Sequence, residues 1–221
     1  MYTITLIFTR HKARGNCNSD ELYEIIEAVH PDMIFEELSD EAFFKIYEKK
    51  SLITVESNAV KKYLEKYNVN HIPVDTFPLL ESYYQDLDYM YEKLFAHNRM
   101  SESRALRYVQ DKQLELLREH GFYFLNTPEN DIYFDKIKEL KEQVLEIFDD
   151  QRLHNIYRLE QEIIQSREEK ILHNIYAYSK KHPYKQALFF IGSGHRKSMM
   201  QKIEECKAVE EFKLNWKYLG D

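Results

Sequence analysis

Glycine, cysteine, proline and long apolar runs are all scarce in this chain. Its 221 residues include five glycines, five prolines and two cysteines. Because Cys17 and Cys206 form neither a CxxC pair nor a disulfide framework, we expect two reduced thiols. No stretch approaches the roughly 18 apolar residues of a membrane span, and the apolar run at 2–8 is too short for a signal-peptide core. These absences predict a soluble, cytoplasmic protein that does not bind membranes.

An excess of basic charge is also missing. Acidic residues outnumber basic ones, 38 to 31, which gives a formal net charge of −7. A general nucleic-acid binder carries a basic field, so the charge balance argues against a nucleic-acid partner. Apolar residues make up 43% of the chain, which is enough to bury a core. The length suits a single domain over residues 1–221, and oligomer formation is left open.

Short apolar runs alternate with helical patterns along much of the chain. Strands are predicted at 2–9, 32–38, 71–75 and 187–192, with a half-exposed final strand at 210–218. Helices are predicted at 19–30, 39–50, 57–67 and 196–207. This order predicts an α/β fold with a mostly parallel sheet flanked by helices.

Between the third and fourth predicted strands the pattern is helical throughout. Apolar residues recur at helical spacing over 79–97, 102–119, 131–149 and 151–180, and the Asn-Thr-Pro run at 126–128 interrupts them. A structureless loop of this length would be unusual inside a compact domain. We therefore predict a helical insertion at 78–181.

Polar or titratable side chains stand at the end of each of the four buried strands. Along the chain they are Arg10 and His11, Glu36 and Glu37, Asp75, and His195 of the Gly-Ser-Gly-His run. Ligands of open α/β sheets bind outside the carboxyl ends of the strands, so we expect these groups to converge. Successive strand residues point to opposite faces, which predicts that one of the two adjacent glutamates faces the site.

Two histidines and a carboxylate at one sheet edge would allow two kinds of chemistry. Imidazole and carboxylate ligands suit zinc, manganese, iron or cobalt, and we predict His11, His195 and Glu36 as the ligands. A metal with an open coordination position could activate water for hydrolysis. Without a metal, the same groups could act as general acid and general base.

The run "FTRHKARGN" at 8–16 resembles the Arg-His-Gly signature of histidine phosphatases. Lys12 replaces the glycine of that signature. The resemblance implies a phosphoryl hydrolase in which His11 becomes phosphorylated.

Several separate stretches together resemble the TraB/Tiki superfamily, which is related to the erythromycin-esterase and ChaN-like proteins. "GSGH" at 192–195 is similar to the second Gly-x-x-His motif of that group, and "FTRH" at 8–11 to the first, with Phe8 in place of the glycine. "PDMIFEEL" resembles its glutamate strand, with Glu36 or Glu37 as the match. "TVESNAVKKYLEKYNVNHIPVD" resembles the following segment with its second glutamate, and "QSREEKIL" the arginine helix.

The resemblance implies a metal-assisted hydrolase of peptide or ester bonds, or a non-catalytic ligand-binding protein on the same fold. It implies that His11, His195 and Glu36 or Glu37 hold a divalent metal (manganese, zinc or cobalt) or position water. It further implies that Arg167 stabilises negative charge that develops on the substrate. We expect contacts with a small-molecule or peptide substrate from Arg10, Glu56, Asp75 and Arg196.

Overall fold

The computed structural model of the chain describes residues 2–75, 80–96 and 100–220. The predicted start of the insertion at 78 lies outside the described residues. The same holds for the predicted helix ends at 79 and 97, and for residues 1 and 221 of the predicted domain.

The centre of the fold is a five-stranded parallel sheet with the strand order β3-β2-β4-β1-β5. The strands are β1 (Tyr2–Thr9), β2 (Met33–Glu36), β3 (Asn70–Pro73), β4 (Gln186–Gly192) and β5 (Leu214–Tyr218). The apolar run of β4 is buried, as expected for a parallel strand that is covered on both faces. The predicted α/β fold with a parallel sheet is confirmed.

Four helices accompany the sheet, and four more form the insertion between β3 and β4. The first set is α1 (Ser19–Val29), α2 (Asp40–Phe43), α3 (Val55–Leu64) and α8 (Arg196–Val209). The insertion contains α4 (Glu81–Ala96), α5 (Ser101–Leu125), α6 (Pro128–Phe148) and α7 (Gln151–Ser179). The predicted break at 126–128 is confirmed, because Thr127 caps α6 and Pro128 occupies its first turn.

Two segments depart locally from the predicted helices. The helix predicted at 39–50 is α2 followed by a π-helical turn at Phe44–Glu48, in which the Lys49 amide donates to the Phe44 carbonyl. The helix predicted from 57 begins earlier, because Thr54 and Ser57 form a reciprocal capping box at its start. Both differences lie beside the carboxyl ends of the strands.

The sheet is covered by one apolar cluster on each face, and the insertion has a third cluster of its own. Residues of α7 and α8 cover one face, while α1, α3 and the end of α5 cover the other. The third cluster joins α4, α5, α6 and α7. Among the described residues, no helix is long and apolar enough to cross a membrane.

The end of α5 attaches the insertion to the carboxyl end of β1. Gly121 bends α5 there with a φ of +58°, and the carboxylate of Glu21 occupies the space that a β-carbon would need. Asn126 then pairs with the backbone of Phe8, accepting from its amide at 2.9 Å and donating to its carbonyl at 3.0 Å. The insertion is thereby fixed directly beside the predicted site.

Candidate functional site

The carboxyl ends of β1, β2 and β4 enclose a small pocket at the middle of the sheet. Its cavity volume is about 20 Å³, which is room for about one water molecule, and the space reaches about 280 Å³ when the open mouth is included. The pocket is lined by Thr9, His11, Glu36, Glu37, Leu38, Thr54, Glu56 and Phe190. Three carboxylates and one histidine therefore meet at the sheet edge where the polar strand ends are predicted to converge.

His11 and Glu56 form a hydrogen-bonded pair at the mouth of the pocket. The first turn of α3 carries Glu56 and is tied to the loop after β1, because the amide of Val55 donates to the His11 carbonyl at 3.1 Å. His11 Nδ1 lies 3.1 Å from Glu56 Oε1, and Thr9 Oγ1 donates to the same oxygen at 2.7 Å. The His11 side chain is 57% exposed and that of Glu56 only 9%. The imidazole can therefore reach a substrate while its carboxylate partner stays buried.

The electrostatics of this pair stabilise the imidazolium that forms when His11 accepts a proton. The hydrogen bond between His11 Nδ1 and the Glu56 carboxylate raises the pKa of His11 above its ordinary value. Burial alone would raise the pKa of Glu56, but the hydrogen bond and charge of His11 bring that pKa below its ordinary value. Glu56 Oε2 is buried without a hydrogen-bond partner among the described residues.

Glu37 lies at the centre of a second network, which Arg167 connects to Asp75. The amide of Gly192 donates to Glu37 Oε2 at 2.7 Å, and Arg167 Nη2 donates to Glu37 Oε1 at 2.9 Å. Arg167 Nε and Nη2 also donate to Asp75 Oδ2, at 3.0 and 2.6 Å. Burial would raise the pKa of Glu37, yet the charges of His195 and Arg167 bring it down to about 2. Glu37 is therefore a carboxylate at every physiological pH.

His195 extends this network to a buried glutamate on α7. Its Nδ1 lies 2.7 Å from Glu168 Oε1, and its Nε2 lies 3.4 Å from Glu37 Oε1. Ser198 Oγ donates to the same Glu168 oxygen at 2.6 Å. Burial would lower the pKa of His195, but the two carboxylates raise it to about 9. His195 is thus an imidazolium at neutral pH, with a carboxylate facing each ring nitrogen.

Glu36 also lines the pocket, and a different set of partners surrounds it. Tyr47 OH donates to Glu36 Oε2 at 2.6 Å, and His71 Nδ1 lies 2.8 Å from Glu36 Oε1. The π-helical turn carries Tyr47, whose ring lies against that of His71. Burial raises the pKa of Tyr47, which keeps its hydroxyl protonated as a donor. Both adjacent glutamates therefore reach the pocket, each through its own network.

Most donor atoms of the predicted metal ligands are engaged with protein partners. Both oxygens of Glu36 accept hydrogen bonds, both ring nitrogens of His195 face carboxylates, and Nδ1 of His11 faces Glu56. Residues 2–75, 80–96 and 100–220 contain no group of three or more histidine, cysteine, aspartate and glutamate side chains arranged to hold a metal ion. The predicted ligand set does not fit a metal in this arrangement.

The two remaining predicted substrate contacts lie outside the pocket. Arg196 is buried, its guanidinium donates to the Asp131 carboxylate, and it lies over the Phe8 ring. Arg10 is half-buried near Arg14, and its burial lowers its pKa. Phe8 therefore packs in the core beneath a buried arginine.

Sequence reasoning missed five side chains that complete these networks. They are Thr9, Tyr47, His71, Glu168 and Ser198. Glu168 directly follows the predicted Arg167, so the arginine-helix segment contained a signal for it. The others lie inside helices or strands, where a polar residue has no distinguishing pattern.

No protein-family model matches the chain, and no curated protein sequence matches it. The resemblance to the TraB/Tiki superfamily stays a prediction from short motifs. The geometry of the pocket is therefore the basis on which a function is assigned.

Proposed function

We propose that the protein hydrolyses peptide or ester bonds at the strand-end pocket, with water as the nucleophile and His11 as the general base. The observation that carries the proposal is the contact between His11 Nδ1 and Glu56 Oε1 at 3.1 Å. A buried carboxylate at Nδ1 fixes the ring tautomer, so that Nε2 carries the lone pair and can accept a proton. This arrangement is typical of a histidine base.

In the proposed reaction, His11 moves one proton between two oxygen or nitrogen atoms. Nε2 of His11 takes a proton from water while the water oxygen bonds to the carbonyl carbon of the substrate. The positive charge that forms on the ring offsets the negative charge on the carbonyl oxygen. The bond to the leaving group then breaks, and His11 returns the proton to the leaving oxygen or nitrogen. Protons and electrons balance without a further reactant.

We assign Arg167 and His195 to positioning rather than to contact with the substrate. Arg167 donates to Glu37 and Asp75 through Nε and Nη2, and His195 lies between Glu37 and Glu168. Two cations therefore hold Glu37 as a fixed carboxylate at the pocket wall. The oxyanion role that the family resemblance implies for Arg167 is not needed in this account.

The phosphohistidine alternative is less well supported by the pocket. A phosphoryl group carries negative charge, and three carboxylates line the pocket together with His11. Like charges at this range repel, so the lining favours an uncharged carbonyl compound over a phosphate ester. A ligand-binding protein without catalysis would share the same lining, and turnover distinguishes it from a hydrolase.

The cellular setting is part of the same proposal. The described chain has two free cysteines, one of them buried, and the sequence carries a net charge of −7. These features support a cytoplasmic protein with a small-molecule or peptide substrate and without a nucleic-acid or membrane partner.

A hydrolysis screen tests the proposal. Purified protein is incubated with a panel of nitrophenyl esters and fluorogenic peptides, and with nitrophenyl phosphate as the comparison substrate. We expect turnover of at least one ester or peptide above that of a heat-unfolded sample, and none of the phosphate. Turnover of the phosphate alone would favour the phosphohistidine alternative, and no turnover of any substrate would favour the binding protein.

A further inference from the structure

A second and larger cavity lies on the far side of His195 from the strand-end pocket. It is a groove lined by residues of α4, α5, α6, α7 and α8, and its cavity volume is about 730 Å³. Pockets for single small molecules usually measure roughly 300–1,000 Å³, so this groove has room for a ligand in the upper half of that range. The proposed hydrolysis does not use it.

The lining of the groove is charged but balanced. Four lysines and four acidic residues line it, which are Lys138, Lys141, Lys197, Lys202, Asp131, Asp135, Glu160 and Glu168. Several pair with each other, as Lys141 does with Glu160 at 3.0 Å and Lys197 with Asp135 at 2.8 Å. A groove without net charge, in a chain of net charge −7, does not select a charged ligand. The lining therefore favours an uncharged, polar ligand.

Amide side chains are the distinguishing feature of this groove. Five glutamines line it, which are Gln110, Gln113, Gln161, Gln165 and Gln201. A glutamine amide has one carbonyl acceptor and one NH₂ donor group, so it can pair with both polar groups of a peptide bond. Gln113, Gln165 and Gln201 each donate one N–H within the protein, and each keeps a carbonyl oxygen and a second N–H for the polar groups of a peptide backbone.

The spacing of two of these glutamines matches an extended chain. Gln161 and Gln165 are four residues apart on α7, so they are separated by about 6 Å along a helix that rises about 1.5 Å per residue. In an extended chain the groups on one side recur every second residue, or about every 6.6 Å. The two amides can therefore pair with two successive peptide groups on the same side of one bound segment.

We propose that this groove binds an uncharged peptide segment in extended conformation, through its backbone. The part of α7 that lines the groove runs from Tyr157 to Glu168, or about 16 Å, which corresponds to about five extended residues. The site goes beyond the proposed hydrolysis and does not depend on it. It also lies next to the strand-end pocket, since Glu168 lines the groove and contacts His195, which contacts Glu37.

A titration followed by NMR tests the proposal without any turnover. The probe is the blocked pentapeptide acetyl-Ala-Ser-Ala-Ser-Ala-amide, and the readout is the side-chain NH₂ signals of the glutamines in a ¹⁵N–¹H spectrum. We expect saturable shifts of the Gln161 and Gln165 signals. Gln143 on α6 lies outside the groove lining and donates to Glu139, so its signal serves as the internal control.

Three comparisons make the outcome decisive. Replacing both glutamines, Gln161→Leu with Gln165→Leu, should weaken binding about thirtyfold, because each of two lost hydrogen bonds contributes about 1 kcal/mol. Gln143→Leu should not change it. An analogue with ester oxygens in place of backbone N–H groups should bind more weakly if the backbone is recognised. Absence of a saturable shift up to the solubility limit, or binding of maltopentaose but not of the peptide, would overturn the proposal.

Discussion

His11 Nδ1 lies 3.1 Å from Glu56 Oε1, although 45 positions separate the two residues in the chain. The contact is held from both sides. The Val55 amide donates to the His11 carbonyl, and the Thr9 hydroxyl donates to the same carboxylate oxygen that faces the ring. A half-exposed imidazole is thereby oriented by a buried carboxylate, which is the arrangement on which the proposed hydrolysis depends.

The first prediction concerns the pKa of His11. The hydrogen bond that the Glu56 carboxylate accepts from the protonated ring raises this pKa, so Glu56→Gln should bring it back towards the ordinary histidine value of 6.5. In a plot of the hydrolysis rate against pH, the rise on the acid side should then move to lower pH. The maximal rate should also be lower, because the base is weaker and less well oriented. NMR titration of the His11 ring signals measures the shift. The control Glu65→Gln changes an exposed glutamate just past the end of α3 and should leave the His11 pKa unchanged.

The second prediction concerns stability against pH. The pKa of His195 is raised from 6.5 to about 9. The stabilisation of the folded protein that His195 supplies is therefore complete below pH 6.5 and is lost as the pH rises to 9. The pKa of Glu37 is lowered from 4.5 to about 2, so the stabilisation that Glu37 supplies is complete above pH 4.5 and is lost as the pH falls to 2. The free energy of unfolding, measured by urea unfolding, should fall as the pH is raised from 6 to 10. His195→Gln should flatten this fall, and an unchanged slope would contradict the assignment.

The third prediction concerns Arg167. Its side chain is 21% exposed and compensates the buried carboxylates of Glu37 and Asp75. Arg167→Met should remove the guanidinium that donates to both carboxylates and lower the free energy of unfolding by about 3 kcal/mol. Arg158→Met on the same helix removes an exposed arginine and should change it by less than about 0.5 kcal/mol. Equal effects of the two changes, measured by urea unfolding, would show that the network around Glu37 does not stabilise the fold.

The fourth prediction concerns metal ions. Most donor atoms of the predicted ligands already have protein partners, and the proposed reaction needs only the His11 side chain as base and water as nucleophile. Treatment with a chelator should leave the hydrolysis rate unchanged, and added manganese, zinc or cobalt should not increase it. Loss of activity on chelation that a metal then restores would show that a metal performs the role assigned to His11.

The fold was largely predictable because parallel strands in this chain are short, apolar and bounded by clear helix signals. The apolar run of β4 and the proline at the start of α6 each specify their local structure without help from distant residues. The π-helical turn at Phe44–Glu48 was not predictable, because its periodicity differs from that of an α-helix by less than one residue per turn. Tyr47 projects from this turn onto Glu36.

The site was predictable only in part, for a related reason. His11, Glu37, Asp75 and His195 could be predicted from their positions at strand ends, because a parallel sheet brings the carboxyl ends of its strands together whatever the side chains are. The register within a helix, by contrast, decides which of its many polar residues faces the sheet. Glu168 is one of several acidic residues on α7, and only the packing of that helix shows that it is the one that contacts His195.

The most direct test of the central claim compares His11→Asn with the wild-type protein on an ester or peptide substrate that the hydrolysis screen identifies. The exposed His173 on α7 offers the matched control His173→Asn. If His11 is the general base, kcat/KM should fall by about a hundredfold or more in His11→Asn and stay unchanged in His173→Asn. A rate for His11→Asn equal to that of the wild type would contradict the proposed function.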